Sequence, residues 1–442
     1  MLIKRTREEN YYTYISDNKP VVVYGAGVST RRQFGYFRAV KYFCDKRAKE
    51  IKSLFGIEVI LPSELKEKCN DCHILVCIDA GPKVYDEICE ELNGLGLDGD
   101  IFNYFDNVAF NVYRNTFSYN YTSSNRPLRV RLVSYDENGW ILTKFANRME
   151  ENLLKMGIDV DVKSYVDPDA DINHHIAHHP YEPIHNYGDT LMLTHFMDYA
   201  LIDRVKKQMD VASMGICMSL ETMNMLVANG ISRQKLCYVN PAHDGKAQIS
   251  KINLGITHKC HDEIDHRKNI NAVLEICDAI SPVYFEFTIM GRGWDNTVKQ
   301  MREKGFQVKY YNEFEYEIYM NEVMPSLDYY LFWGYDEGSM GFLDALAAGV
   351  KTIVTPQGFH LDYHNAITYP CRTIPEFIFA LKNIQHDKEM LVESVKDYTW
   401  YEYARKHVEI WNYITKRVSF SDLMKNRHMY NDGIFSVMPD VL

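Results

Sequence analysis

The chain has 442 residues, enough for two or three domains with sizeable cores, and its composition, 46% hydrophobic and 25% charged, is that of a globular protein. Its net charge of −11 argues against a nucleic-acid-binding protein. No apolar run reaches transmembrane length, and the N-terminal residues lack the apolar segment of a secretion signal. We therefore expect a cytoplasmic protein with reduced cysteines, in which the isolated Cys69-x2-Cys72 pair does not indicate zinc.

Residues 1–126 carry a pattern typical of a Rossmann-like domain. An apolar run at residues 20–24 precedes Gly25-x-Gly27, and the pattern continues with a helix over residues 29–40 and a strand over residues 73–78. A strand followed by a glycine turn and a helix is the usual opening of such a domain.

The dinucleotide fingerprint of this domain is incomplete, because Thr30 occupies the position of the third glycine. Asp45, at the end of the second strand, could bind a ribose, but the lone Gly25-x-Gly27 is weak evidence for NAD. Together with Cys44-Asp45 and residues 56–65, the segment is similar to a small Rossmann-like module found beside sugar-modifying enzymes. That resemblance favours a structural or docking role over a working dehydrogenase.

A polar stretch at residues 119–126, followed by Pro127, predicts a domain boundary. A strand over residues 128–133, a loop ending near Gly139 and a helix over residues 140–155 then predict the opening of a second Rossmann-like domain. We expect this domain to occupy residues 127–247.

Two pairs of histidines in this domain, His174 with His178 and His175 with His179, have the i,i+4 spacing of metal ligands on a helix. The alternative is a strand over residues 172–177, in which successive side chains point to opposite faces of the sheet. We favour structural or acceptor-site histidines over a metal site.

A further strand, over residues 191–193, ends in Thr194-His195. A neutral imidazole at the carboxyl end of a strand can form hydrogen bonds with a sugar hydroxyl or a leaving group. The alternative is a buried histidine that is bonded to the backbone.

Strands predicted over residues 252–256, 285–290 and 308–311 open a third domain, at residues 248–397. Arg267 and Lys268 follow its first strand, where a guanidinium fork and an ammonium could bind phosphate oxygens or could instead be a solvated surface. Helices are expected over residues 314–324, 374–384 and 387–397.

The most informative stretch is residues 328–358, which reads as strand, loop, helix and strand. Two buried strands joined by a helix form a right-handed crossover in a parallel sheet. The helix would begin at Gly338 or Ser339, at the carboxyl edge of the sheet where α/β folds bind ligands. The amides of Gly338, Ser339 and Met340 would then face an anion such as phosphate.

Acidic residues surround this predicted helix start. Asp344 could accept hydrogen bonds from the paired hydroxyls of a ribose. Asp336 and Glu337 could hold a sugar, or could merely cap the helix and favour its dipole.

The stretch resembles the donor-site signature of the retaining GT-B glycosyltransferases of family 4, in which a Glu-x7-Glu pair precedes a small-residue helix end, a strand and a glycine turn. Asp336 and Asp344 have the same spacing here, although each is one methylene shorter than glutamate, and Glu337 competes for the first role. The resemblance extends over about residues 128–413.

The resemblance implies roles for residues elsewhere in the chain. His195 would lie beside the reacting sugar, and Gly139 would approach the donor phosphates. Arg267 and Lys268 would clamp the diphosphate, and Arg292 belongs to a Gly-x-Gly near the nucleotide. Enzymes of this family generally use no metal, so no cofactor is expected.

The fold class implied is α/β, with two GT-B lobes and an additional N-terminal Rossmann-like domain. The lobes are residues 127–247 for the acceptor and 248–397 for the nucleotide-sugar donor, and residues 398–442 form a helix crossing back to the first lobe and a tail. The partners implied are a nucleotide sugar and a glycan, lipid-linked or protein acceptor. Peripheral contact with the inner membrane face and homo-oligomer formation stay open.

The function implied is transfer of a sugar from a nucleotide-diphosphate sugar to one of these acceptors, with retention, in polysaccharide biosynthesis. Two alternatives stay open. One is a non-hydrolysing sugar-nucleotide epimerase on the same fold, which would need no acceptor. The other is a catalytically silent scaffold subunit that binds the nucleotide sugar, which the replacement of both glutamates by aspartate permits.

Overall fold

The structure is a computed structural model that describes residues 2–5, 19–37, 39–78, 81–107, 126–135, 139–181, 188–194, 196, 199–260 and 271–418. The chain divides into two compact units. One unit consists of Met1–His243 with Tyr398–Leu442, and the other is Asp244–Asp397. No helix among the described residues is both long enough and apolar enough to cross a membrane.

The first unit begins with a sheet of seven strands: β1 (Leu2–Lys4), β2 (Val21–Tyr24), β3 (Val40–Cys44), β4 (Ser53–Leu54), β5 (Ile57–Ile60), β6 (Asp71–Val76) and β7 (Asp98–Asn103). Their order in the sheet is β1-β7-β6-β2-β3-β5-β4. Neighbouring strands run parallel except for β4 and β5. The helices are α1 (Val28–Gln33), α2 (Ala48–Ile51), α3 (Leu65–Lys68), α4 (Pro82–Gly94) and α5 (Tyr104–Asn107).

The helix predicted over residues 29–40 is wrong in its second half. Helix α1 ends at Gln33 and is followed by a 3₁₀ turn over Phe34–Tyr36. The backbone of Gly35 packs so tightly against Val166 of the second sheet's domain that an added Cβ would lie 1.7 Å from the Val166 carbonyl oxygen. Packing against the neighbouring domain thus turns the chain before β3, which the local helical pattern does not reveal.

The second sheet of this unit has six strands: β8 (Arg129–Val133), β9 (Asp159–Lys163), β10 (Ile172–His175), β11 (Asp189–Leu193), β12 (Met214–Cys217) and β13 (Leu236–Tyr238). They are all parallel, in the order β13-β12-β11-β10-β8-β9. Its helices are α6 (Ile141–Lys155), α7 (Tyr199–Val211) and α8 (Leu220–Ala228). The hydroxyl of Ser219 caps α8 by accepting a hydrogen bond from the Thr222 amide.

The third sheet forms the second unit and also has six parallel strands: β14 (Ile252–Ile256), β15 (Phe285–Met290), β16 (Gln307–Tyr311), β17 (Tyr329–Phe332), β18 (Lys351–Val354) and β19 (Tyr369–Pro370). Their order is β16-β15-β14-β17-β18-β19. Its helices are α9 (Asn271–Ala279), α10 (Asp295–Glu303), α11 (Tyr316–Ile318), α12 (Met340–Ala347) and α13 (Ile374–Glu393). The strand order reverses direction between β14 and β17, which makes that junction a topological switch point.

Two helix predictions in this unit are corrected. The helix expected over residues 314–324 is a single α turn that continues as a π-helix over Tyr319–Val323 and a 3₁₀ turn over Met324–Ser326. Pro325 has no amide to continue an α-helix. The two helices expected after residue 374 are one continuous helix, α13, because no glycine or proline separates them.

The chain returns to the first unit with α14 (Trp400–Ile414). Its aromatic side chains pack into the core of the second sheet, with the rings of Trp400 and Phe145 at 5.0 Å. The final helix expected from the sequence therefore belongs to the unit that contains the second sheet.

Histidines on β10 point to opposite faces, as the strand alternative predicts. His174 contacts His407 and Trp411 of α14, and His175 lies 4.7 Å from the Tyr181 ring. The helix that the i,i+4 metal-ligand interpretation requires is therefore wrong for His174 and His175, which lie on a strand. In the part of the chain that the structure describes, no three His, Cys, Asp or Glu side chains are grouped as metal ligands would be.

The α/β class is confirmed, with three sheets in which parallel pairing dominates. The central segment has the predicted order of strand, helix and strand, and its helix begins at Met340, one or two residues after the predicted start. Each domain has its own apolar core, formed by buried side chains of the strands and of the helices that pack against them.

We expect Gly35→Ala to destabilise the first unit, because its Cβ would overlap the Val166 carbonyl and push the two sheets apart. Overpacking of this kind costs roughly 1–3 kcal/mol of unfolding free energy. The measurement is the thermal midpoint of the purified chain. The control is Gly81→Ala, whose Cβ would meet no atom of the described residues within 4 Å. An equal effect of both substitutions would contradict the packing argument.

The buried histidines predict acid sensitivity. Burial lowers the pKa of His407 to about 4 and that of His174 well below its ordinary value of 6.5. Below pH 6.5 the unfolded chain binds protons that the folded chain cannot, so stability falls as the pH drops towards 4, by at most about 1.4 kcal/mol per pH unit for each histidine.

We therefore expect His407→Gln to be less stable than the parent at pH 7.5 but to lose less stability on acidification to roughly pH 5. Urea denaturation at the two pH values measures this. His386→Gln, on the exposed side of α13, is the matched control and should retain the parent's pH dependence. An unchanged slope in His407→Gln would contradict the assignment.

Candidate functional site

The candidate site lies at the carboxyl edge of the third sheet, where β14 and β17 are neighbours. After β17 the chain forms an exposed loop and enters α12 at Met340. Gly338 has a φ of +128°, and a Cβ there would lie 2.6 Å from the ring of Phe359. Only glycine fits this position, so the backbone conformation of the loop before α12 depends on Gly338.

A chain of hydroxyl groups crosses this edge. The Tyr330 hydroxyl, on β17, lies 2.8 Å from the hydroxyl of Ser339 and accepts a hydrogen bond of 3.3 Å from Thr257, just after β14. Gly341 makes room for it, because a Cβ there would lie 2.5 Å from both the Thr257 and the Tyr330 oxygens. Side chains from β17, from the residue after β14 and from the residue before α12 therefore meet at one point.

Asp344 is held by a tyrosine that sequence reasoning did not identify. The Tyr319 hydroxyl donates a hydrogen bond of 2.8 Å to Asp344 Oδ2. Burial and this bond raise the pKa of Tyr319, so the hydroxyl stays protonated and can only donate to the carboxylate. Oδ1 of Asp344 accepts no hydrogen bond within the described ranges, so one carboxylate oxygen is fixed and the other can bind a ligand.

His360 forms hydrogen bonds that hold the start of α12 against the loop after β18. Its Nδ1 lies 3.0 Å from the Thr355 carbonyl oxygen, which can only accept, so Nδ1 carries the proton. Its Nε2 accepts the Ser339 amide at 2.7 Å. Both bonds require the neutral imidazole, which burial favours by lowering the pKa of His360.

This bond changes which groups are left for an anion. The Ser339 amide is occupied by His360, whereas no described residue accepts from the amides of Met340 and Gly341 in the first turn of α12. The binding role predicted for Ser339 would therefore involve its hydroxyl. The first turn still presents unpaired amides and a positive helix dipole to the sheet edge.

Asp336 and Glu337 lie on the exposed loop before α12. The Asp336 carboxylate accepts a 3.0 Å bond from the Glu337 amide, and the Asp336 amide donates to Gln357 at 3.3 Å. Neither carboxylate bonds to α12, and Ser339, the residue before the helix, makes no side-chain cap. Helix capping is therefore not what these two acids do.

Arg292 projects from the turn after β15. It pairs with Glu313 at 3.5 Å, and both side chains are about 70% exposed, so the pair adds little stability. The flanking glycines lie against the loop after β14, since a Cβ at Gly291 would lie 2.4 Å from the His258 carbonyl oxygen and one at Gly293 2.3 Å from that of Cys260. Gly291-Arg292-Gly293 thus supports the same sheet edge.

The other predicted site residues cannot be placed beside these. Arg267, Lys268 and His195 lie outside the described residues. Gly139 belongs to the other unit, where it precedes α6 with a φ of +76°. Asp336, Glu337, Gly338, Ser339, Met340, Asp344 and Arg292 all belong to the unit of the third sheet.

Sequence reasoning missed Thr257, Tyr319, Tyr330 and His360. Tyr330 lies in an apolar strand run, where a tyrosine reads as core. His360 follows the glycine turn after β18, and only the fold reveals that it contacts Ser339. Tyr319 begins a π-helical turn, and such turns are frequent at functional sites. The proline that ends the predicted helix was the one local sign in the sequence that the helix there is irregular.

No protein-family model matches the chain, and no curated protein matches it. It is similar to WaaG, a glycosyltransferase involved in lipopolysaccharide biosynthesis, with 12% identity over 65% of this chain and 98% of that one, at a TM-score of 0.25. It is similar to Anabaena Alr3699/HepE in complex with UDP-glucose, with 11% identity over 93% and 100% of the two chains, at a TM-score of 0.23.

A third similar structure is the GtfA/B complex, with 10% identity and a TM-score of 0.23; the match covers 61% of each chain, so this chain spans about three fifths of that protein's length. A TM-score below 0.5 does not establish correspondence of residues. These likenesses therefore carry no argument about chemistry, which rests on the site itself.

We expect Tyr319→Phe to destabilise the unit of the third sheet, because it removes the hydroxyl that donates to the Asp344 carboxylate. Hydrogen bonds to charged groups contribute about 1.5–3 kcal/mol. The thermal midpoint measures the loss. Tyr316→Phe is the matched control, because its ring is exposed one turn earlier. Equal midpoints for the two variants would contradict a structural role for the Tyr319 hydroxyl.

Proposed function

We propose that the protein transfers a sugar from a nucleotide-diphosphate sugar to an acceptor, as a retaining GT-B glycosyltransferase of the family 4 type. The observation that carries the proposal is the arrangement of Asp344. Its carboxylate is oriented by Tyr319 on a helix that begins at the carboxyl edge of a parallel sheet, with one oxygen left for a ligand.

The donor nucleotide would occupy the switch point between β14 and β17. The amides of Met340 and Gly341, with the dipole of α12, suit the negative charge of a diphosphate. Asp344 Oδ1 would accept hydrogen bonds from the ribose hydroxyls, and the Ser339 hydroxyl would contact a phosphate oxygen. Asp336 and Glu337, on the exposed loop, would hold the hydroxyls of the sugar.

The transfer breaks the bond between the anomeric carbon and the β-phosphate oxygen and forms a bond from that carbon to an acceptor oxygen. The acceptor's proton passes to the departing diphosphate, which accounts for all atoms. Charge that develops on the diphosphate would be offset by α12 and, by resemblance, by Arg267 and Lys268. His195 would hydrogen-bond the reacting sugar, and attack would come from the face of the leaving group.

The shorter side chains of Asp336 and Asp344 bear on the silent-scaffold alternative. At Asp344 the structure supports a working site, because Tyr319 holds the shorter carboxylate in one orientation. At Asp336 the carboxylate is turned back on its own loop, and Glu337 makes no side-chain bond within the described chain. We therefore assign the first acidic role to Glu337.

Nucleotide binding is the first test. In a thermal-shift screen of the full chain with UDP, GDP, dTDP, CMP and NAD, we expect one nucleoside diphosphate to stabilise the protein selectively. Asp344→Asn should reduce that shift, whereas Asp387→Asn, an exposed acid on α13 of the same unit, should leave it unchanged. Selective stabilisation by NAD alone, intact in Asp344→Asn, would overturn the proposal.

Turnover distinguishes the proposed reaction from its alternatives. When a transferase is incubated with the matching sugar nucleotide, it should release the nucleoside diphosphate faster if a glycan acceptor is added. Glu337→Gln should slow this release about a hundredfold or more. Conversion of the donor sugar without any acceptor would indicate an epimerase. Binding without either reaction would indicate a silent scaffold.

A further inference from the structure

Tyr330 is a buried tyrosine whose hydroxyl lies at the centre of the candidate site. Its side chain, on β17, is fully buried. Its hydroxyl reaches the carboxyl edge of the third sheet, 3.3 Å from the Thr257 hydroxyl and 2.8 Å from that of Ser339. Buried tyrosines usually find a partner for their polar tip. What distinguishes Tyr330 is that its two partners are hydroxyls on either side of it, so the direction of the protons decides what Ser339 can do.

The hydrogen bonds along these three hydroxyls have a definite direction. Thr257 donates to the Tyr330 oxygen. Burial raises the pKa of Tyr330, so its hydroxyl stays protonated and has one proton to donate. The Ser339 oxygen, at 2.8 Å, is the acceptor that the described residues offer for that proton. Tyr330 therefore accepts from Thr257 and donates to Ser339.

This direction makes the Ser339 hydroxyl a donor. A serine hydroxyl has one proton, and an oxygen that accepts from Tyr330 directs its own proton elsewhere. Ser339 is partly exposed and directly precedes α12, so a ligand at the helix start can reach its hydroxyl. Hydrogen bonds in a chain polarise one another, which strengthens the last donor of the chain.

The main chain of Ser339 is held as well. Its amide donates to His360 Nε2 at 2.7 Å, so both its amide and its hydroxyl are positioned by buried side chains. Gly341 leaves the space that the other two hydroxyls need, because a Cβ there would lie 2.5 Å from the oxygens of Thr257 and Tyr330. A group that is already held in place loses little further freedom when a ligand binds.

From this geometry we infer that Tyr330 is a positioning residue, which orients the Ser339 hydroxyl as a hydrogen-bond donor to a phosphate group at the start of α12. Thr257 sets the direction by donating to Tyr330. The amides of the first turn of α12 are donors too, so the site offers donors to a ligand that can only accept, as phosphate oxygens do. The inference rests on the proposed function in that the phosphate belongs to the donor nucleotide.

Isothermal titration of the full chain with inorganic pyrophosphate tests the inference without the base or the sugar. We expect saturable binding by the parent. Ser339→Ala and Tyr330→Phe should each weaken binding about tenfold or more, the effect of losing one hydrogen bond to a charged group. Tyr329→Phe is the matched control, because Tyr329 precedes Tyr330 on β17 and points to the other face of the sheet. It should keep the parent's affinity.

The double variant separates positioning from a merely structural role. If Tyr330 acts through Ser339, Tyr330→Phe should weaken binding no further once Ser339 is replaced by alanine. The double variant should then bind pyrophosphate as Ser339→Ala does. A general loosening of the sheet edge would instead weaken binding by the same factor in both backgrounds.

Thr257 provides a second pair of variants that leaves the buried tyrosine in place. Thr257→Val keeps the shape of the side chain but removes its donor, so Tyr330 becomes free to accept the Ser339 proton. We expect pyrophosphate binding to weaken severalfold. Thr257→Ser restores the hydroxyl and should recover the parent's affinity.

Four results would overturn the inference: no pyrophosphate binding by the parent, parent-like binding by Tyr330→Phe or Thr257→Val, equal weakening by Tyr329→Phe, or independent losses in the double variant. Failure of the proposed function is a different result. Pyrophosphate binding with the expected dependences but without sugar transfer would leave the inference standing. Sugar transfer with an unchanged KM for the donor in Tyr330→Phe would contradict the inference alone.

Discussion

The candidate site depends on one neutral imidazole. His360 accepts a hydrogen bond from the Ser339 amide, just before α12, and donates one to the Thr355 carbonyl, just after β18. It therefore joins the two segments that border the site. A charged imidazole could not accept the Ser339 amide. Burial of the ring, which disfavours its charge, is therefore part of what holds the helix start in place.

The backbone around the start of α12 is closely packed against neighbouring atoms. Gly338 and Gly358 are glycines because neighbouring atoms leave no space for a side chain, and Gly341 lies against the hydroxyl chain of Thr257 and Tyr330. Such close approach brings the first turn of α12 next to two central strands. The amides of that turn and the carboxylate of Asp344 then point towards one edge of the sheet, an arrangement suited to a ligand with a charged end and hydroxyl groups.

The candidate ligand site follows from the geometry of a parallel sheet. In a parallel sheet all strands end on the same side, so the loops that follow them gather polar groups at one edge. In the third sheet those groups are an acid, hydroxyls and helix amides. The chain is acidic overall, so this local concentration of donor groups, rather than net charge, would select a phosphate-bearing ligand.

The sequence by itself determined the α/β class, most strands of the three sheets and the position of α12, because apolar runs of strand length and glycine turns are local signals. It also nominated Asp336, Glu337 and Asp344 as candidate site residues, from their place beside the helix start and from the resemblance to a family signature. Only the tertiary structure decided that Tyr319 orients Asp344, that His360 occupies the Ser339 amide, and that α1 stops at Gln33. These features depend on contacts between residues that are distant in the chain or in different domains, and periodicity carries no information about which distant residues will meet.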